Sequence, residues 1–205
     1  VRIRDNDSAP IRVIAKDLPG INSISFDQKS GKLYASQVFL GDALWELDVT
    51  GAAAPRLIKK DLGGFNGFEV GADGWILAPL WFKGQIVKLN PADGEIKVIN
   101  SEFKVPAAAN YDSKGNIWAI DTKAGGLFKI NPADGKRSLV AQLSSSIDNL
   151  ALDAQDQVYV SNMADNGVQR IDPASGKATQ ITKGGMAAPG GLKLSEDGKT
   201  LHVAH

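Results

Sequence analysis

Two adjacent polar residues, Asp148 and Asn149, stand at the predicted start of a strand in the segment IDNLALD. Related segments carry an asparagine near the same place, Asn22 in INSISF and Asn66 in FNGFEV. Carboxylate and amide oxygens suit Ca²⁺, which takes about six to eight oxygen ligands including water. Zinc prefers His or Cys, and the chain has no Cys and only two His, both near its end. If the fold gathers these side chains, they predict a calcium site.

The elements that must position this set belong to a repeat. Four segments end in an acid or an amide, and these residues are separated by 42, 41 and 41 positions: Asp48, Asn90, Asn131 and Asp172. In three of the copies a Pro-Ala-containing turn follows at once. A second family of β-rich segments repeats at a similar spacing, at Tyr34, Leu77, Trp118, Tyr159 and His202. Four short strands that recur every 41–43 residues are typical of β-propeller blades. The sequence therefore predicts an all-β propeller of four-stranded antiparallel blades, as one domain over residues 1–205.

The two ends of the chain resemble half-blades. VRIRD, which ends at Asp5, matches a third strand, and IRVIAK matches a fourth strand. At the other end, GGLKL and TLHVA match a first and a second strand. The sum is five blade-equivalents. Two interpretations stay open: a five-bladed ring in which the ends share one blade and protect their edges, or part of a larger, six-bladed propeller.

The first strand of each blade lines the channel of a propeller, so equivalent positions at its start form a ring at one mouth. Here that ring is Asn22, Asn66, Ala107, Asp148 and Gly190. The ends of the second strands reach the same mouth with Gln37, Leu80, Asp121, Asn162 and His205. The loops add apolar residues that suit a small-molecule pocket: Phe39, Trp81, Phe82, Met163 and Met186. A deeper ring is formed by Ser25, Glu69, Asn110, Ala151 and Lys193, within which Glu69 and Lys193 are expected to form a structural pair.

A purely structural interpretation stands beside the calcium site. Asn and Asp at strand starts commonly stabilise turns through hydrogen bonds to nearby backbone groups. Two positions of the mouth ring, Ala107 and Gly190, offer no side-chain ligand at all.

Composition narrows the possible partners. Lys and Arg number 23 against 23 acids and are scattered, so a nucleic-acid partner is not expected. No apolar stretch approaches the roughly 20 residues of a membrane-spanning helix, so no membrane partner is expected. The chain has neither an initiator Met nor a signal peptide, which suggests a processed chain. The lack of Cys suits an oxidising compartment as well as the cytosol. A periplasmic or secreted location is expected, with the cytoplasm as the alternative.

Two segments resemble known propellers. SIDNLALDAQDQVYVSNMADNGV is similar to the Asp-Asn strand of paraoxonase-type propellers, and FNGFEVGADGWILA to the Asn-Gly strand of the gluconolactonase, senescence-marker and strictosidine-synthase-like superfamily. The resemblance implies a six-bladed propeller that binds calcium through Asn, Asp and Glu and hydrolyses lactones or esters. By position it implies metal ligands at Asp148 and Asn66, with Asn149 and Asn22 as further candidates. The Glu usual in that family is absent from the ring. SKGNIWAID also resembles strands of NHL repeats and of streptogramin-B-lyase-type propellers.

These features predict a calcium-dependent hydrolase of lactones or esters, in which the ion polarises the substrate carbonyl. His205 or Asp121 would be the base that activates water. The substrate is expected to be a small molecule. The alternatives are a non-enzymatic propeller that binds a ligand or protein partner, and a lyase that opens a cyclic ester by elimination.

Overall fold

The computed structural model describes residues 1–3 and 8–205, and every regular element in them is a β-strand. Four antiparallel sheets of four strands follow one another along the chain, each with its strands in sequence order, and we call them blades 1 to 4. Their strands are β3 (Ile21–Asp27), β4 (Lys32–Gln37), β5 (Ala43–Leu47) and β6 (Arg56–Lys60); β7 (Glu69–Val70), β8 (Ile76–Leu80), β9 (Gln85–Leu89) and β10 (Ile96–Asn100); β11 (Pro106–Tyr111), β12 (Ile117–Asp121), β13 (Gly126–Ile130) and β14 (Arg137–Gln142); and β15 (Ile147–Leu152), β16 (Val158–Asn162), β17 (Gly167–Ile171) and β18 (Ala178–Thr182). The predicted β-propeller is confirmed.

The turns between the third and fourth strands join neighbouring blades. In the turn after β13, Asn131 Oδ1 accepts the Ala133 N–H at 2.9 Å, and Gly135 has a φ of +69°. A Cβ on Gly135 would lie 2.2 Å from the carbonyl oxygen of Ile99 in blade 2. Glycine is therefore required both for the turn and for the close approach of the blades.

The first strands of blades 1, 3 and 4 each carry an irregularity in the sheet register near their start. In blade 1 the shift falls between Ile21 and Ser23, so that Asn22 is the extra residue. Blade 3 has its shift between Pro106 and Ala108, at Ala107. In blade 4 the shift falls between Ile147 and Leu150 and contains the Asp148–Asn149 pair. Bulges re-aim side chains at such points, and the predicted ring positions lie on them.

The core lies between the blades, where the faces of successive sheets pack together. One buried cluster joins blades 3 and 4 and includes Trp118, Ile120, Leu150 and Val160. Another joins blades 1 and 2 and includes Tyr34, Leu44, Phe65 and Leu80, among other residues. Small side chains let the inner strands approach closely, as at Ala107 and Ala108 of β11, both of which are fully buried.

The half-blades predicted at the ends are two-stranded sheets. β1 (Arg2–Ile3) pairs with β2 (Arg12–Val13), and β19 (Leu192–Leu194) pairs with β20 (Leu201–Val203). Asp5, the expected end of the first of these strands, lies outside the described residues. Over residues 1–3 and 8–205 the two sheets are not hydrogen-bonded to each other.

The first blade and the last two-stranded sheet nevertheless contact each other. Gln28, in the turn between β3 and β4, donates a hydrogen bond of 3.1 Å to Glu196 in the turn between β19 and β20. On the side of blade 1 that lacks a complete neighbouring blade, Ile24 and Phe26 are 55% and 50% exposed. Both interpretations of the blade number therefore remain predictions.

No helix among the described residues is long and apolar enough to cross a membrane.

Candidate functional site at the channel mouth

Two of the predicted ligands, Asn22 and Asn66, contact each other between blades 1 and 2. Asn22 Nδ2 donates to Asn66 Oδ1 at 3.0 Å. Asn66 Oδ1 also accepts the Gly67 N–H at 2.9 Å, and Asn66 is buried while Asn22 is exposed. The oxygen that the calcium interpretation needs therefore already has two donors in this structure.

Asn149 reaches back towards the same pair across blade 3. Its Oδ1 accepts the Leu150 N–H at 2.9 Å, and its own N–H donates to Ser161 Oγ at 3.0 Å. A Cβ on Gly67 would lie 3.1 Å from Asn149 Nδ2. The small residues of blade 3 at this point thus leave room for Asn149 to approach blade 2 beside Gly67, the residue that follows Asn66.

The carboxylate of Asp148 lies beside Gly190, the ring position at the start of the last sheet. It is half-buried, and a Cβ on Gly190 would lie 3.1 Å from its Oδ2. No donor in the described part of the chain is within hydrogen-bond distance of this carboxylate, and burial alone raises the pKa of Asp148. A buried carboxylate without a partner is costly, so the mouth holds a negative charge that a ligand could neutralise.

The mouth offers few oxygen donors for a calcium ion. Asp148 provides a carboxylate with free lone pairs, and an amide oxygen such as Asn149 Oδ1 has a second lone pair beyond its bond to Leu150. Asn66 Oδ1 would first have to release the Asn22 amide. Residues 1–3 and 8–205 contain no group of three His, Cys, Asp or Glu side chains able to hold a metal, so water would complete the shell.

The two predicted bases lie in very different surroundings. Asp121 is 1% exposed, and its oxygens accept backbone N–H groups from Lys104 at 2.6 Å, Val105 at 3.2 Å and Ala124 at 2.9 Å. This geometry suits an anchor that ties two loops together. His205 is exposed and follows Ala204, whose carbonyl accepts the Gly190 N–H at 2.9 Å. Its backbone therefore lies at the same end of the channel as Asp148.

Other members of the second ring also anchor loops. Gln37 Nε2 donates to the carbonyl of Pro19 at 2.7 Å, and its Oε1 accepts the Trp45 indole N–H at 2.7 Å. Asn162 Oδ1 accepts the Ala164 N–H at 2.9 Å, and its Nδ2 donates to Ser144 Oγ. These polar residues at strand ends serve the loops around the mouth.

Aromatic side chains form a wall beside the asparagines. Phe39 makes edge-to-face contacts with Trp81 and Phe82, at centroid distances of 5.9 Å and 6.0 Å. Phe39 and Phe82 are 63% and 61% exposed. The Trp81 N–H donates to the Gly64 carbonyl at 2.8 Å, which places this wall two residues from Asn66. Leu40, next to Phe39, is also exposed, but it was not among the wall residues predicted from the sequence. The apolar pair Phe39–Leu40 within the loop VFLGD is the sequence signal that points to it.

The two methionines expected in the wall, Met163 and Met186, lie on or beside blade 4. Met186 packs against the cluster of Ala151, Val168 and Leu192, between blade 4 and the last two-stranded sheet. Met163 is half-buried, and its N–H donates to the Ser146 carbonyl at 2.9 Å. The apolar wall is therefore concentrated on blades 1 and 2.

The deeper ring lines a cavity of about 290 Å³ in the other half of the channel. Glu69, Asn110, Ala151 and Lys193 of the predicted ring all contribute to it, whereas Ser25 does not. Burial raises the pKa of Glu69, and the positive charge of Lys193 opposes this shift. The expected pair thus faces one cavity, but it forms no ion pair within 4.0 Å.

Comparisons with known proteins identify the architecture. No protein-family model matches the chain, and no curated protein matches its sequence. A streptogramin B lyase structure superposes with a TM-score of 0.73 and 19% identity, covering 90% of this chain and 63% of the lyase. A gluconolactonase from Xanthomonas campestris superposes with a TM-score of 0.75 and 15% identity, covering 94% of this chain and 71% of that one. A chain of a nidogen/laminin complex gives a TM-score of 0.74 and 15% identity, covering 86% and 68%.

At these identities the likeness establishes the propeller fold and nothing about activity. This chain spans 63% of the length of the streptogramin B lyase, so it corresponds to part of that propeller.

Proposed function

We propose that the chain is a calcium-dependent hydrolase of small lactones or esters, with its site at the channel mouth. The observation that carries the proposal is the Asp148 carboxylate, which is half-buried, without a donor in the described residues, and adjacent in sequence to Asn149 at the channel mouth. A gluconolactonase is among the structures that share this fold, so the fold is compatible with such chemistry.

Each side chain has a distinct task in this proposal. Asp148 and the amide oxygens of Asn66 and Asn149 would hold the ion, which when bound supplies a Lewis acid for the substrate carbonyl. Asn22 donates to the Asn66 oxygen in the absence of the ion and would have to release it when the ion binds. The aromatic wall of Phe39, Trp81 and Phe82 would bind an apolar part of the substrate and shield the site from water.

Of the two bases considered, His205 is the better placed to accept a proton. The Asp121 oxygens are occupied by backbone N–H groups, and using them would release two loops. His205 lies at the mouth and is exposed. An imidazole is the side chain that most often acts as a general base in enzymes.

The experiment is a screen of lactones and phenyl esters with excess calcium and with chelator. We expect turnover that needs calcium and is lost in Asp148→Asn. Asp134→Asn is the matched control, because Asp134 lies in an exposed turn at the opposite end of blade 3 and its bond to the Lys136 N–H can be kept by Asn. Full turnover in Asp148→Asn, or equal turnover with chelator, would refute the proposal.

A lyase is the second candidate, favoured by the superposition on a streptogramin B lyase. The product mass separates the two reactions for a cyclic ester. Hydrolysis adds the mass of one water, whereas elimination leaves the mass unchanged and creates a carbon–carbon double bond.

A non-enzymatic binding propeller is the third candidate, favoured by the superposition on a nidogen/laminin chain and by the vacant ring positions Ala107 and Gly190. It predicts no turnover of any ester and no stabilisation by calcium.

A further inference from the structure

The 290 Å³ cavity lies at the end of the channel away from Asp148. Its lining includes Leu152 and Leu194, at the far ends of β15 and β19. The opposite ends of these two segments carry Asp148 and Gly190. The cavity is therefore separate from the mouth site, and the proposed hydrolysis does not use it.

One wall of the cavity carries a carboxylate with spare hydrogen-bonding capacity. Glu69 Oε2 accepts the Tyr111 N–H at 2.8 Å, and the Asn110 side chain is its other donor. An ionised carboxylate offers about four acceptor sites, so Glu69 can bind a further donor. Asn110 also lines the cavity and adds a polar group beside Glu69.

Another wall carries an unpaired cation. Lys193 of β19 lines the cavity, and within the described ranges no carboxylate lies within 4.0 Å of its ammonium group. Glu196 also lines the cavity, and its carboxylate accepts a hydrogen bond from Gln28 in blade 1. The charges of Glu69 and Lys193 thus face one cavity without touching each other, and the second carboxylate, Glu196, is already held by Gln28.

We propose that this lower cavity binds a small zwitterion, whose ammonium group pairs with Glu69 and whose carboxylate pairs with Lys193. A simple cation would leave Lys193 unpaired, and a simple anion would leave Glu69 unpaired. Leu150 and Leu192 provide apolar walls, next to which charge pairs are worth more than they are in water. The cavity volume is near the lower end of about 300–1,000 Å³ for ligand pockets, which suits a molecule of amino-acid size.

The test is calorimetric titration of the chain with glycine, 4-aminobutyrate and 6-aminohexanoate, which differ in the separation of their charges. Butylamine and butyrate are the single-charge probes. We expect one amino acid to bind at least about tenfold more tightly than either single-charge probe. Butylamine binding as tightly as every amino acid would overturn the proposal, and so would the absence of binding by all five probes at millimolar concentration.

Two variants test the proposed contacts of Glu69 with the ammonium group and of Lys193 with the carboxylate of the ligand. Glu69→Gln keeps an acceptor for the Tyr111 N–H but loses the charge, and Lys193→Met removes the cation from an exposed side chain. Glu69→Gln should weaken amino-acid binding about tenfold and leave butyrate binding little changed. Lys193→Met should weaken amino-acid binding about tenfold and leave butylamine binding little changed. The exposed Lys183→Met is the control. Asp148→Asn should not affect this binding, so failure of the zwitterion site is distinguishable from failure of the mouth site.

Discussion

Asn22 and Asn66, 44 positions apart in sequence, are joined by a hydrogen bond of 3.0 Å from the amide of Asn22 to the oxygen of Asn66. The bond links equivalent points of blades 1 and 2 at the channel mouth. It assigns different tasks to two residues that look equivalent in the sequence, because Asn66 presents an oxygen and Asn22 presents a donor.

This difference predicts unequal effects on calcium binding. Asn66→Ala should weaken calcium binding about tenfold, because it removes a proposed ligand. Asn22→Ala should change the affinity much less, since it removes only a donor that competes for the same oxygen. Calorimetric titration with calcium measures both. Equal losses in the two variants would contradict the assignment.

The unpartnered carboxylate of Asp148 predicts a dependence of stability on pH. Burial raises its pKa in the folded state, so the folded protein binds this proton more tightly than the unfolded chain does. The contribution favours folding below the unfolded pKa of 3.8 and is lost as the pH rises through the folded pKa. In chelator, Asp148→Asn should therefore raise the melting temperature at neutral pH.

That gain should shrink as the pH falls through the raised pKa of the folded state and should vanish below 3.8, because Asp148 is then protonated in both states. Thermal melts at several pH values measure the difference. Excess calcium should reverse the order at neutral pH, since only the original chain gains from binding the ion. A variant less stable than the original chain in chelator would show that Asp148 has a structural partner.

The close approach at Gly67 predicts a steric requirement. A Cβ there would lie 2.9 Å from the Ala107 carbonyl oxygen and 3.1 Å from Asn149 Nδ2. Gly67→Ala should destabilise the chain by about 1–3 kcal/mol through overpacking, and it should displace Asn149. Gly191→Ala is the control at the equivalent position of β19, where the nearest atom is 3.8 Å away. Urea unfolding of both variants measures the difference, and equal stability would contradict the expected clash.

The aromatic wall predicts a preference for substrates with an aromatic or other apolar group. Trp81→Ala and Phe39→Ala should raise KM for phenyl esters about tenfold and change KM for acetyl esters of small alcohols much less. Phe26→Ala is the control, because Phe26 is also half-exposed but lies on the open side of blade 1. Steady-state kinetics decide, and equal effects on both ester classes would argue against the wall as a binding surface.

Asp112 predicts a second, opposite dependence on pH. Burial would raise its pKa, but hydrogen bonds from Asn116, Trp118 and Lys129 outweigh this effect and lower the pKa to about 2. The stabilisation is present above the unfolded pKa of 3.8 and is lost as the pH falls to about 2. Asp112→Asn should cost about 2 kcal/mol at neutral pH and little at the acid end of this range. Chemical unfolding at both pH values tests this, and a constant difference would contradict the electrostatic origin.

The fold was readable from the sequence because a propeller blade is a local pattern. Each blade needs alternating apolar residues, tight turns with Gly and a spacing that returns the chain to the channel, and all three appear within 41–43 residues. The ring positions followed from this alignment, and the bulges at Asn22, Ala107 and Asp148–Asn149 lie where it placed them.

Hydrogen-bond partners across blades were not readable in the same way. Asp121 looked like a free carboxylate at the mouth, but loops from two sides direct their N–H groups at it. Glu69 and Lys193 were placed in one ring, but the width of the channel keeps them from forming a contact ion pair.

The sequence by itself thus determined the blade repeat, the strand order within each blade and the set of polar residues that face the channel. Only the tertiary structure decided which of them have partners: Asn66 and Asp121 do, whereas the Asp148 carboxylate has no donor in the described residues. The physical reason is the separation in sequence between the residues that interact. Strand patterns and turns are set by neighbouring residues, but the Asn22 partner of Asn66 comes from another blade, 44 residues away, and two of the Asp121 partners come from a loop 16 and 17 residues away. Packing of the whole ring fixes whether such residues meet.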